Sequence, residues 1–157
     1  MWQRIQTIYM LLAFVALVLF NFFSLANFSF NDTTWELMPY QFVGNEMGGA
    51  PLYFLRFGGI AANLVALVIL FMITRYNNRR LQLRLGHISY FFLLVLTVVM
   101  YINMGSIKDF MEESMGKIEV VYNLGSYLPV IAIAFLILAN RSIKKDEELI
   151  RSMDRLR

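Results

Sequence analysis

Four windows of this chain are each apolar over about the 20 residues a helix needs to cross a bilayer core, and that pattern limits the fold more than any other feature. They run from Ile5 to Ala26, Phe54 to Thr74, Ile88 to Gly105 and Tyr122 to Asn140. None contains Asp, Glu, Lys or His, and Arg56, near one end, is the single charge among them. With 59% hydrophobic residues, the 157-residue chain has more apolar surface than a soluble domain of that size hides. The windows predict an all-α integral membrane protein, a four-transmembrane-helix bundle that forms one domain over residues 1–157. The first window also resembles a signal peptide, with Arg4 ahead of it and Ser24-Leu25-Ala26 at its end. Its apolar run is longer than the roughly 7 to 15 residues of a signal hydrophobic region, so it is read as a span.

Charge then orients the spans, because Lys and Arg accumulate on the cytoplasmic side. Arg4, the segment after the second span (Arg75, Arg79, Arg80, Arg84) and the tail (Arg141, Lys144, Lys145, Arg151, Arg155, Arg157) hold 11 of the 14 basic residues. The opposite side has Arg56, Lys108 and Lys117 beside seven carboxylates: Asp32, Glu36, Glu46, Asp109, Glu112, Glu113 and Glu119. Both termini are therefore expected in the cytoplasm, with two acidic loops outside.

The long first outer loop carries Phe28 and Phe30, then Tyr40 and Phe42, in alternation around Asn31, Asp32 and Pro39. That spacing suggests a short hairpin capping the outer end. In the second span Gly58, Ala62 and Ala66 recur every four residues with Asn63 on the adjoining row, the pattern of a helix-packing seam held by an interhelical amide. Near the outer ends of the third and fourth spans Tyr101, Asn103, Tyr122, Asn123 and Tyr127 gather polar groups. They are read either as a small polar pocket or as groups that satisfy one another and interfacial water.

On the cytoplasmic side, the middle loop offers four positive charges and no negative one. The tail reads as a helix continuing the fourth span, with Leu149, Met153 and Leu156 in an apolar stripe. An amphipathic helix beside a membrane calls for a second surface, which can be the bilayer, the middle loop or a partner protein. The mixed charge of the tail favours protein. The contact residues expected are Arg79, Arg80 and Arg84 from the loop, with Lys144, Lys145, Glu148, Arg151, Asp154 and Arg155 from the tail.

Several function classes find no support in the residues. With no cysteine and one histidine, thiolate metal sites and paired haem ligands are excluded. There is no nucleophile with a base at motif spacing, no phosphate-binding glycine loop and no nucleic-acid module. His87 stands at an interface among arginines and reads as an interfacial side chain. The span centres lack the ionisable residue that coupled transport needs. The chain is therefore expected to be a non-enzymatic accessory or scaffold subunit without a cofactor, docking to other inner-membrane subunits, with a homo-oligomer left open. Lipid or small-molecule binding at the outer polar pocket is the alternative. An enzyme would need Glu112 and Glu113 folded over a site.

The segments "MWQRIQTIYMLLA", "NRRLQLRLGHI", "YNLGSYLPVIAI" and "ANRSIKKDEELIRSMDRLR" resemble, in order, those of an uncharacterised family of small four-pass inner-membrane proteins of Bacteroidota-type bacteria. The resemblance covers nearly the whole chain apart from the first outer loop. It implies a bacterial inner membrane, where the acceptor patterns at Asn27 and Asn31 are irrelevant, and it brings no established activity.

Overall fold

The computed structural model describes residues 5–31, 33–43, 53–75 and 78–155, with side chains from residue 57 onward in the second helix and up to 148 in the last. Along the chain come α1 (Ile5–Phe20), β1 (Ala26–Phe30), β2 (Thr33–Leu37), β3 (Phe42–Val43), α2 (Tyr53–Thr74), α3 (Arg79–Met115), β4 (Glu119–Tyr122) and α4 (Leu124–Arg155). The four helices form a ring in which α1 packs on α2, α2 on α3, α3 on α4 and α4 back on α1. The four strands make one antiparallel sheet at one end, in the order β3-β2-β1-β4. The expectation of an all-α chain is therefore corrected: the protein is mostly helical with a small sheet cap.

Apolar periodicity builds the ring. In α1 the buried residues Met10, Ala13, Leu17 and Phe20 recur at three- and four-residue steps, and in α4 Leu128, Ala132, Leu136, Ala139 and Ile143 do the same. Small residues on both helices let their backbones approach. The chain leaving α1 also meets α4 closely at Gly125, where a Cβ would lie 2.5 Å from the carbonyl oxygen of Phe23 and closer still to that of Ser24. The Gly125 N–H instead donates to the Ser24 carbonyl at 3.0 Å. The outward faces remain apolar, with Leu64, Leu67, Phe91, Val98 and Val130 all exposed.

The sheet follows from alternation. Ala26, Phe28, Trp35 and Leu37 turn one buried face to the bundle, with Phe28 opposite Trp35 and Ala26 opposite Leu37. Asn31, at φ 52°, takes the left-handed turn conformation between β1 and β2 that Asn tolerates better than most residues. The expected hairpin is thus present, and β4 extends it from the far end of the sequence by pairing with β1.

Three boundaries differ from the sequence reading. The first helix stops at Phe20 rather than Ala26. Its continuation is drawn into the cap, where the Leu25 N–H donates to the Leu37 carbonyl at 2.7 Å and the Leu25 carbonyl accepts from Asn123 N–H at 2.9 Å. Over its 16 described residues α1 is about 24 Å long, less than the roughly 30 Å of a bilayer core. The second change is at the middle loop, which is short: α3 starts at Arg79, capped by the Asn78 side chain accepting from Leu81 N–H at 3.2 Å. Finally, α3 continues past Gly105 to Met115 because Met104, Ile107 and Met111 carry its buried stripe into the same core as the sheet. Gly116 ends it at φ 99°, a conformation in which any side chain is strained.

Candidate functional site

At the charged end, α3 and the extension of α4 lie side by side. The Arg79 guanidinium donates to the Asp146 carbonyl at 3.2 Å. This bond joins the two segments that the sequence marked as contact surface. Arg80, Arg84, Arg141, Lys144 and Lys145 remain exposed on these helices. Lys144 and Glu148 form an i,i+4 pair at 4.0 Å, so exposed that it adds little stability. Arg151, Asp154 and Arg155 belong to the last turns of α4, but their side chains lie outside the described residues. The same holds for Leu149 and Met153 of the apolar stripe, while Leu156 lies outside altogether. His87 places Nδ1 2.6 Å from the carbonyl of Leu83 in its own helix, and its ring 5.6 Å from that of Tyr90.

Just beneath this surface, three carboxamides are buried. Gln82 is 2% exposed and donates to the Met72 carbonyl at 2.7 Å, closing the last turn of α2 across the short connection. Its Oε1 has no partner, and neither polar atom of Gln6 (2% exposed) nor of Asn140 (6%) has one among the described residues. Asn140 packs on Gly86, where an added Cβ would land inside the carboxamide. Polar atoms buried without partners are costly, which makes this layer the least satisfied part of the core. The sequence reading missed it, although Gln and Asn at the ends of apolar windows are the signal that would have found it.

At the sheet end, Asn21, Asn63 and Tyr40 form a clasp joining α1, α2 and the cap. Asn21 Nδ2 donates to Asn63 Oδ1 at 3.0 Å, Asn63 Nδ2 returns a bond to Asn21 Oδ1 at 2.9 Å, and Tyr40 O–H donates to Asn21 Oδ1 at 2.6 Å. Asn63 Nδ2 also donates to the Tyr40 hydroxyl. Burial raises the Tyr40 phenol above its ordinary 10.0, against the opposing effect of the Asn63 bond, so the hydroxyl stays a neutral donor. The Asn63 amide thus bonds the chain leaving α1 and the cap rather than a neighbouring helix, with Ala62 and Ala66 buried on its own helix. Gly58 departs from the expected seam, since nothing lies within 4 Å of a Cβ built there. The close approach falls at Gly59, which carries the Tyr40 ring 2.6 Å from such a Cβ.

The outer polar residues are brought together mainly to bond one another. Tyr101 O–H donates to the Ser126 carbonyl at 3.1 Å, and its ring stands 5.9 Å from that of Tyr122. Asn123 Nδ2 donates to Ser24 Oγ at 2.8 Å and to Asn27 Oδ1 at 2.9 Å. Tyr127 is exposed. Asn103 Nδ2 donates to the Val99 carbonyl of its own helix at 2.8 Å. Of these five residues Asn103 alone lines the cavity at this end, an apolar hollow of about 200 Å³ between α2, α3 and the cap. Glu112 accepts from Ile118 N–H at 3.3 Å and pairs with Lys108 at 3.5 Å, which ties it to the turn leaving α3.

Among the described residues, three helices long and apolar enough to cross a membrane, a shorter apolar fourth and apolar outward faces are the build of a helical membrane protein. Within that class, the chain belongs to the family described as Domain of unknown function (DUF4293), whose family model matches residues 2–156. No curated protein and no solved structure matches it.

Proposed function

We propose that the protein is a four-pass bacterial inner-membrane protein with both termini cytoplasmic, acting as a non-enzymatic accessory or scaffold subunit of a larger membrane assembly. Support for four passes comes from the ring: α1 packs along both α2 and α4, so if those helices cross the bilayer, α1 crosses beside them. Its shortfall in length is of a kind that local bilayer thinning accommodates. The charge distribution supports the sidedness, with 11 of the 14 basic residues toward one end.

The docking role rests on one observation, the Arg79 to Asp146 hydrogen bond. It makes the start of α3 and the extension of α4 one platform rather than two loose segments, and Arg80, Arg84, Lys144 and Lys145 stand exposed on it. A rigid basic platform suits an acidic protein surface, and its placement just outside the apolar spans suits a membrane partner. Tagged protein purified in gentle detergent should carry a partner at fixed stoichiometry. Arg80→Glu with Arg84→Glu should release it, whereas Glu113→Gln at the opposite end should not. A lone monomer, or a partner held equally by all three proteins, would overturn the proposal.

A further inference from the structure

The hollow beside the clasp has an unusual wall. On α2 it is made by Phe57, Gly58 and Ala61, and on α3 by Phe92, Val95 and Val99. Phe57 is 70% exposed, and Phe92, Val95 and Val99 are also exposed, so the hollow opens sideways between the two helices. Both walls belong to apolar helix windows long enough to cross a membrane. With these helices spanning the bilayer, as proposed above, the opening faces hydrocarbon and not water. Beyond Phe57 the α2 wall consists of the small residues Gly58, Gly59 and Ala61, and among the described residues nothing lies within 4 Å of a Cβ built on Gly58.

Its size and rim narrow the occupant. A cavity of about 150 Å³ accepts benzene, so about 200 Å³ takes a short stretch of hydrocarbon chain. The α3 wall runs from Phe92 to Asn103, which at 1.5 Å per residue (103 − 92 = 11 residues) is about 16 Å, close to one leaflet of a roughly 30 Å core. At the sheet end of that wall Asn103 uses one amide N–H on the Val99 carbonyl, and among the described residues its Oδ1 and second N–H are left for a polar group at the interface.

We propose that this groove holds a stretch of one acyl chain of a membrane phospholipid from the leaflet next to the sheet, with the ester region of the lipid at Asn103. Because lipid tails are as apolar as the groove, water exclusion contributes nothing to the affinity; shape and the Asn103 amide provide it. The site is distinct from the charged platform, and it stands whether or not a protein partner docks there.

The test reconstitutes the full chain in phosphatidylethanolamine vesicles doped with the same lipid carrying a diazirine in one acyl chain, then maps the photoadducts by mass spectrometry. Adducts should concentrate on Phe57 to Ala61 and on Phe92 to Asn103. Gly58→Phe, which grows into open space, and Val95→Trp from the facing wall should each lower them to the level of exposed residues elsewhere on the bundle. Gly105→Phe, also in open space but outside the groove lining, should leave them unchanged. A diazirine fatty acid without a headgroup should label the groove less than the phospholipid, and Asn103→Leu should remove that difference. Even labelling of all exposed helix faces, or full labelling in both filling variants while they melt like the parent, would overturn the proposal. Stronger labelling by the fatty acid would do the same for the phospholipid assignment.

Discussion

Replacing Asn63 by Leu removes three of the hydrogen bonds in the clasp: those with Asn21 in both directions and the one to the Tyr40 hydroxyl. The groups left behind keep partners, because Asn21 Nδ2 still donates to the Leu17 and Val18 carbonyls at 3.0 and 3.1 Å, and Tyr40 still donates to Asn21. The loss is therefore that of the bonds themselves and not of stranded polar groups. Polar contacts between helices in membranes average about 0.6 kcal/mol, so three give about 2 kcal/mol. For a chain of this size that lowers the melting temperature by roughly 4–8 °C. Thermal unfolding in a mild detergent reads the shift directly. A double-mutant cycle with Tyr40→Phe then isolates the shared bond, and the pair should fall short of additivity by at least about 0.6 kcal/mol. An unchanged melt for Asn63→Leu, or strictly additive effects, would refute the clasp.

Other substitutions probe the remaining joints. Gly125→Ala forces a Cβ against the carbonyls of Phe23 and Ser24 and should cost about 1–3 kcal/mol in the same melt; parent-like stability would show that α4 and the segment leaving α1 do not meet there. Gly86→Ala should destabilise by displacing the Asn140 carboxamide, and Asn140→Ala in the same chain should restore most of the loss. Failure of that rescue would separate the two residues. Gln6→Leu removes two buried polar atoms without partners among the described residues and should leave stability unchanged or raise it by about 1 kcal/mol, whereas a loss of that size would mean the amide is bonded. Because the folded-state pKa of Tyr40 is raised above 10.0, its contribution is intact below about pH 10 and declines as pH rises beyond it. Tyr40→Phe should abolish that alkaline decline, and an identical decline in the variant would place its origin elsewhere.

Much of this architecture is legible in the residues, and the parts that are not share a cause. Apolar windows locate the helix centres of α2, α3 and α4 because a span must be continuous in hydrophobicity. Asn63 is legible as a bonded amide for the same reason, since a polar group there needs a partner. Hydropathy is silent about helix outside the apolar window, so the arginines at the start of α3 read as a loop and Lys108 to Glu113 as another. The stripe of Met104, Ile107 and Met111 contains the answer, but only the sheet it packs against gives it meaning. The pairing of Tyr40 and Asn21 with Asn63 is not legible, because they lie 23 and 42 positions from it in the chain. A contact at that separation leaves no local trace. The polar residues near the outer ends of α3 and α4 were visible as a group, while their mutual pairing and the apolar groove beside α2 depend on tertiary packing.

The docking platform has meaning only if the charged end faces the cytoplasm, and the absence of cysteine from the chain makes that directly measurable. Single cysteines at Arg84 and Lys145, and at Val121 on the exposed sheet edge, can be labelled in intact spheroplasts with a membrane-impermeant maleimide. Labelling at Val121, with Arg84 and Lys145 reacting only after lysis, is the result expected. Labelling of Arg84→Cys and Lys145→Cys before lysis, with Val121→Cys protected, would contradict the proposed orientation and with it the cytoplasmic docking surface.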